Sequence, residues 1–384
     1  MNHPLKTIPF NRPFMTGKEL QYISEAHLQG HLAGDGMFSR KCEAFMEEQF
    51  GIARSLLTHS CTAALEMSAI LVNIGPGDEV VLPSYTFVST ANAFAKLGAT
   101  PVFVDIRPDT LNLNEELVAD AITSRTKCIV PVHYAGVGCE MDEIMRVGSD
   151  HGIAVIEDAA QGFGSTFRGK PLGSLGDMGT LSFHETKNII SGEGGALLVR
   201  DPELALRAEI VREKGTNRRA FFRGQVDKYT WVDVGSSYLP SDLIAAYLWA
   251  QLEESGEITR RRKAIWDRYH EAFAAAEEGE LCRRPIIPDH CAHNAHMYYL
   301  LLPDRARRDR FIDLMRGEED ILTVFHYIPL HSAPKGQEVG RVSGEIATTE
   351  EFAGRLVRLP MWLGLEPHQD RVIESSLRVL EKVA

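Results

Sequence analysis

Between Arg54 and Val199 the chain alternates short, nearly uninterrupted apolar runs with longer amphipathic ones, and this alternation restricts the fold more than any other feature. Runs at Arg54–Thr58, Val80–Pro83, Pro101–Asp105, Lys127–His133, Ala154–Glu157, Gly179–Phe183 and Ala196–Val199 read as strands. Several are almost continuous in Val, Ile and Leu, as strands covered on both faces are. Helical patterns at Thr62–Ile74, Thr90–Leu97, Glu115–Ala121 and Glu140–His151 separate most of them. Such alternation requires right-handed crossovers and a mainly parallel sheet, here of seven strands. The last two runs are too close for a crossover helix, so the Asn188–Gly195 link predicts a hairpin-like reversal and one antiparallel strand.

From Ser241 the pattern changes to one long helix reaching about Ala275, followed by a polar, Pro-punctuated stretch, Glu277–His290. Strands near His296–Leu302 and Leu322–Phe325, with helices near Arg308–Met315 and Pro367–Leu380, read as a smaller α+β unit. At 384 residues, two domains are expected. They are a large α/β domain with an N-terminal arm over residues 1–250, and a small α+β domain over 251–384 entered by the long helix.

A composition of 44% hydrophobic and 24% charged residues excludes a disordered chain. The net charge of −12 repels phosphate backbones, so no nucleic-acid partner is expected, although a local pocket for one small anion is allowed. No uncharged apolar run of about 18 residues occurs, and MNHPLKTIPFNRPF lacks a signal-peptide core. Cys42, Cys61, Cys128, Cys139, Cys282 and Cys291 show neither a CxxC pair nor zinc-like spacing, so reduced structural thiols and no metal are expected. The expectation is a soluble cytoplasmic protein.

Four strand ends carry chemistry. Val155-Ile-Glu-Asp-Ala-Ala-Gln161 runs an apolar strand into two carboxylates and a Gln, at the edge where open α/β sheets place ligands. Solvated acids capping a strand would look the same; the functional reading needs a buried Asp facing a cation such as a protonated pyridine nitrogen. Leu181-Ser-Phe-His-Glu-Thr-Lys187 adds a loop Lys, which becomes nucleophilic when partly desolvated, and a Ser hydroxyl that can donate to phosphate. Thr58-His-Ser-Cys-Thr-Ala-Ala64 opens a helix with small polar residues, either a plain N-cap or an anion cradle. Pro83-Ser-Tyr-Thr-Phe-Val-Ser-Thr90 offers Phe87 as a core residue or as a platform for a flat ring. Anion cradle, aromatic platform, Asp and Lys on one sheet edge together describe a pyridoxal 5'-phosphate site.

With these motifs the chain resembles the DegT/StrS sugar aminotransferases, of the fold type I, aspartate-aminotransferase-like class of PLP-dependent transferases. The resemblance runs from Ile8-Pro-Phe-Asn11 to the C-terminal helix. It is strongest at Pro83–Phe94, Ser182-Phe-His-Glu-Thr-Lys-Asn188, Gly192-Glu-Gly-Gly195, Phe222–Trp231 and Gly235-Ser-Ser-Tyr-Leu239. It implies that Lys187 bonds covalently to the cofactor and shuttles the proton, and that Asp158 pairs with the pyridine nitrogen. Gln161 would bond the ring hydroxyl, Phe87 would stack on the ring, and Thr62, Ala63 and Ser182 would take the phosphate. Ser237 stands where much of the family has an Asn that reaches the phosphate of the neighbouring subunit, and Leu239 where much of it has Arg.

Further implications concern the substrates. L-glutamate would load the cofactor as pyridoxamine 5'-phosphate, and the amine would pass to carbon 4 of a dTDP-sugar, dTDP-4-dehydro-6-deoxy-D-glucose. His326, Tyr327 and His331 would border the sugar, with a His titrating near neutrality, or simply pack. Lys214, Arg223 and Gly34-Asp-Gly36 would meet the nucleotide diphosphate, or serve as surface charges and turns. A homodimer sharing the site is implied, with Phe221, Phe222, Tyr229 and Trp231 as indirect support. Relatives that dehydrate rather than transaminate carry His in place of the lysine, so Lys187 implies transamination. Amination at carbon 3 of a related keto sugar and a non-catalytic PLP-binding regulator stay as alternatives. A nucleotide-dependent oxidoreductase lacks its GxGxxG after the first strand, where His59-Ser-Cys61 stands.

Overall fold

The computed structural model describes residues 5–384. Its main sheet runs, in spatial order, Arg54–Thr58, Gly195–Val199, Met178–Ser182, Ala154–Asp158, Thr126–Ile129, Glu79–Pro83, Thr100–Val104 and Arg341–Val342. Gly195–Val199 is antiparallel to both neighbours and every other pairing in the sheet is parallel. The predicted reversal is therefore present, and so are the seven expected strands. An eighth, Arg341–Val342, is only two residues long and leaves no periodicity to read. It is held at the edge by Arg341, whose Nε and Nη2 donate to the Glu79 carboxylate at 3.0 and 2.9 Å.

Strand residues alternate between two apolar layers because successive side chains point to opposite faces. Val80 and Leu82 pack with Leu65, Phe94 and Val211 on one side, while Val81 packs with Val104, Ile144 and Val155 on the other. All five residues of Glu79–Pro83 are buried, which is why this run lacks a polar alternation. Gly195 opens the antiparallel strand against the start of the Cys61–Leu71 helix, where a Cβ would stand 2.4 Å from the Cys61 nitrogen. No other residue lets that helix approach so closely.

Two expectations for the later chain change. The single long helix is two, Asp242–Glu253 and Ser255–Ala272, divided at Glu254, whose ψ of 8° leaves the helical well. The first packs on the N-terminal helices Glu19–Gln29 and Met37–Phe50, and Lys18 holds the joint by pairing with Glu254 at 3.0 Å. Position 250, the expected division, falls inside the first of them. Leu322–Phe325 is not a strand; Val324 makes one isolated bridge to Arg358. Tyr298–Leu301 pairs instead with Leu356–Leu359, which follows the Ala347–Arg355 helix without a turn residue to announce it. Among the described residues no helix is long and apolar enough to cross a membrane.

Candidate active site

The parallel strands end on one edge, and the loops leaving them enclose a cavity of about 460 Å³. Lys187, Asp158, Gln161, Ser182, Thr62, Phe87, His326 and Tyr327 all line it, so eight residues singled out in the sequence meet there. The two carboxylates of the Ala154–Asp158 strand part company as pleating requires. Glu157 turns inward, fully buried, and accepts from His133 Nε2 at 2.7 Å and from the N–H groups of Gly173, Leu175 and Gly176. Cys139 N–H donates to His133 Nδ1, so Nε2 carries the proton toward Glu157. Asp158 faces the cavity, 5% exposed, with Oδ2 accepting from Thr90 Oγ1 at 2.7 Å and Oδ1 from Ala160 N–H at 3.1 Å. Thr90 spends its only hydroxyl hydrogen on Asp158, so Thr86 must donate to Thr90 across their 2.9 Å contact.

Lys187 sits in the loop after Met178–Ser182, its N–H bonded to the His184 carbonyl at 2.9 Å. Burial pushes its ammonium below the ordinary lysine value, against the opposing pull of Cys61 and Asp158. That favours the neutral, nucleophilic amine. Gln161 is fixed at both ends: Oε1 accepts from Ala135 N–H at 2.7 Å and Nε2 donates to the Tyr327 hydroxyl at 3.0 Å. The second Nε2 hydrogen is left for a ligand. Phe87 is 56% exposed although apolar, and its ring lies 6.3 Å from that of Tyr327. At the helix start Ser60 Oγ accepts from Ala63 N–H at 3.1 Å, an N-cap that occupies the Ala63 donor. Thr62 Oγ1 reaches Ser89 Oγ at 2.8 Å, and both line the cavity.

The remaining expected residues lie elsewhere. Neither Ala63, His331, Lys214, Arg223 nor Ser237 lines the cavity. His331 bonds Ser84 Oγ at 2.6 Å and Glu350 at 3.2 Å. Arg223 pairs with Glu209 at 2.7 Å, and Asp35 with the buried Arg212 at 2.6 Å, so these charges serve an internal ionic cluster. Lys214 and Ser237 are exposed. His326 does not titrate near neutrality: burial, with Arg358 nearby, holds it well below the ordinary histidine value. Its Nδ1 meets the Tyr134 hydroxyl at 2.8 Å and its ring stacks on Tyr327 at 3.6 Å. The sequence reading missed Thr90 as the partner of Asp158, and also His296, in the segment just before Tyr298–Leu301, and Arg358 on Leu356–Leu359, which lie far along the chain and carry no local motif. All six cysteines are free, and Cys61, which packs against the core, also forms part of the cavity wall.

The fold and this constellation define a fold type I aminotransferase: a buried Asp for a protonated ring nitrogen, a desolvated Lys, an aromatic face and hydroxyls at a helix start fit pyridoxal phosphate. The chain belongs to the DegT/DnrJ/EryC1/StrS aminotransferase family, whose profile matches residues 13–377. The spore coat polysaccharide biosynthesis protein SpsC of Bacillus subtilis is 33% identical over 379 residues, covering 96% of each chain. GDP-perosamine synthase of Caulobacter vibrioides is 34% identical over 382 residues, covering 98% of this chain and 99% of that one. Among solved structures, the aminotransferase TlmJ of Streptoalloteichus hindustanus superposes with a TM-score of 0.90 at 30% identity, covering 98% of this chain and 100% of its own. The sugar aminotransferase Spr1654 of Streptococcus pneumoniae matches at 27% identity and a TM-score of 0.90 in its PMP form, again over 98% and 100%. DesI, solved with its TDP-sugar product, matches at 27% identity and a TM-score of 0.86, covering all of this chain and 95% of that one.

Proposed function

We propose that this protein transfers an amino group from L-glutamate to carbon 4 of dTDP-4-dehydro-6-deoxy-D-glucose. The products are a dTDP-4-amino-4,6-dideoxyhexose, of galactose or glucose configuration, and 2-oxoglutarate. Across the two half-reactions the amine and a hydrogen leave the donor carbon for the sugar carbon, and the sugar's carbonyl oxygen is balanced by the new keto group of the donor. The observation that carries the aminotransferase chemistry is the meeting of a desolvated Lys187 and a buried Asp158 in one cavity. The substrate rests on the narrower sequence likeness to dTDP-4-amino-4,6-dideoxygalactose transaminases at Phe222–Trp231 and Gly235–Leu239. The TDP-sugar product of DesI supports a dTDP-linked substrate.

Pyridoxal phosphate, when bound, supplies an electron-withdrawing ring that stabilises negative charge on the carbon losing its proton. Asp158 would pair with the protonated ring nitrogen, and Thr90 Oγ1 and Ala160 N–H fix the orientation of that carboxylate. Lys187 would anchor the cofactor and, as the desolvated amine in the cavity, would supply the base that moves the proton. Gln161 Nε2 would donate its second hydrogen to the ring hydroxyl, and Phe87 would cover one ring face. Ser182, Thr62 and the free N–H groups of the helix start would take the phosphate, while Ala63 N–H stays with Ser60. Ser237, exposed, would stand near the partner's phosphate in a homodimer, with a shorter side chain than the Asn that much of the family has there. His326, neutral throughout the working pH range, and Tyr327 present their polar edges to the sugar hydroxyls.

The test is the visible spectrum of the holoenzyme. L-glutamate should convert the pyridoxal band to the pyridoxamine form, and dTDP-4-dehydro-6-deoxy-D-glucose should restore it. Restoration by a 3-keto isomer or a GDP-linked 4-keto sugar instead would discard the substrate and keep the chemistry. Failure to bind the cofactor would discard both.

A further inference from the structure

The segment that delivers His296 to the cavity wall is held in a costly shape. Ala295, immediately before it, is buried and adopts φ 53°, a left-handed conformation that a residue with a Cβ rarely takes. Such strain persists only where the surroundings impose it, and it gathers at working sites. Here the surroundings are the residues that shape the cavity. Asn294 donates from Nδ2 to the carbonyls of Gln161 and Phe163, both at 2.8 Å. The buried Arg262 donates to the carbonyls of Ala295 and His296 at 3.1 and 2.7 Å. Asn188, the residue after Lys187, donates to the Asn294 carbonyl at 2.8 Å and turns its Oδ1 to His296 Nδ1 at 3.1 Å. That last contact fixes the ring. Asn188 Oδ1 can only accept, so Nδ1 must carry the hydrogen. Burial and the cations Lys187, Arg262 and Arg358 around it hold His296 well below the ordinary histidine value, so the ring is neutral and Nε2 is bare. The side chain makes no other hydrogen bond among the described residues.

We propose that His296 Nε2 is the acceptor that holds the amine in transit between donor and sugar. The inference rests on the aminotransferase reading above and adds a residue that reads the travelling nitrogen itself. An ammonium has hydrogens to give and no lone pair, so it needs an acceptor, whereas a hydroxyl can be satisfied by donors. The cavity around Lys187 is rich in donors: Lys187 itself, Arg358 and the second Nε2 hydrogen of Gln161. The Asp158 carboxylate is already bonded to Thr90 and Ala160 N–H and is reserved for the ring nitrogen. His296 brings a lone pair. The lysine nitrogen and the transferred nitrogen occupy the same cofactor carbon in turn, so their acceptor must stand beside Lys187. The bond from Asn188, its chain neighbour, to the His296 ring places it there. Being uncharged, the imidazole also lets the amine depart, where a carboxylate would keep it in an ion pair.

The experiment titrates pyridoxamine 5'-phosphate and pyridoxal 5'-phosphate separately into the full-length, cofactor-stripped protein by calorimetry, with His296→Asn and His296→Gln beside the parent. The Asn amide reaches the place of Nδ1 and keeps the tie to Asn188, but leaves the cavity without the lone pair. The longer Gln returns an amide oxygen to the place of Nε2. Losing one hydrogen bond to a charged group should weaken binding of the pyridoxamine form about 10- to 100-fold in His296→Asn. His296→Gln should recover most of that loss. Pyridoxal phosphate, which brings no amine, should bind both variants as it binds the parent. Equal weakening of the two forms in a variant that melts like the parent, or an unchanged affinity for the pyridoxamine form, would overturn the assignment. Nitrogen NMR of the histidine rings in the unaltered protein checks it without any variant. His296 Nε2 should be unprotonated and should shift when pyridoxamine phosphate binds; a protonated Nε2 overturns the assignment as well. If the parent binds neither form, the aminotransferase reading itself fails, a separate outcome.

Discussion

Thr90→Val removes one hydroxyl from a buried position while keeping the side chain's shape, and it isolates what holds Asp158. The lost bond is O–H to carboxylate at 2.7 Å, with Thr90 itself fully buried. Hydrogen bonds to charged groups contribute about 1.5–3 kcal/mol. An unfolding entropy of about 2.1 cal/mol/K per residue gives roughly 0.8 kcal/mol/K for a chain of this length, so Tm should fall by about 2–4 °C. Thr86→Val loses only the neutral hydroxyl-to-hydroxyl bond, about 0.5–1.5 kcal/mol or roughly 1–2 °C. Differential scanning calorimetry of the two variants reads the order directly. The catalytic rate should follow it, because only Thr90→Val leaves an Asp158 oxygen free to turn. A Thr86→Val loss equal to or larger than that of Thr90→Val would refute the donor order deduced here, Thr86 to Thr90 to Asp158.

Lys187→Met should abolish covalent cofactor capture, seen as loss of the pyridoxal band. It should also raise the Tm of the cofactor-free protein: Lys187 has its folded value below its unfolded one, so its ammonium is a burden on the fold that grows as pH falls below that unfolded value. His293, pushed down to about 3 by burial, and His296 and His326, also held low, stay neutral in the fold. Each therefore costs stability as pH drops below about 6.5, at up to about 1.4 kcal/mol per pH unit, and urea titrations should show His293→Gln flattening that decline by one proton's worth. Phe222 and Trp231, 68% and 76% exposed, are expected at the homodimer contact; a Phe222→Ser, Trp231→Ser double variant should elute as a monomer by light-scattering chromatography while melting like the parent.

Asp158 was legible because it ends an apolar strand with a charge, and Lys187 because it stands in the short polar loop that follows the next apolar strand. The antiparallel Gly195–Val199 followed from link length alone. Arg358 was not legible, since an arginine within Leu356–Leu359 has no local signature and acquires its meaning only when the chain's far end folds over the sheet. Asp35 and Arg223 misled for the opposite reason. Their charges look available in sequence, but Arg212 and Glu209, both buried, claim them. The break at Glu254 likewise depends on what the two helices pack against, which a continuous helical pattern does not record.

The pleat of the Ala154–Asp158 strand has a consequence for how such chains can vary in length. Glu157 and Asp158 are neighbours with opposite assignments, one clamped beneath the sheet edge and the other open to the cavity. Only Gly152 and Ile153 separate this strand from the preceding helix, and both are pinned, Gly152 at φ 65° and Ile153 by its N–H to the Gly148 carbonyl. A single inserted or deleted residue there has no slack to disappear into. It would advance the strand by one step and exchange the two acids, presenting the longer carboxylate to the ligand and leaving His133 facing the wrong side. Insertions in this connection should therefore be tolerated in pairs or not at all, a parity rule that a deletion scan of the link can read out.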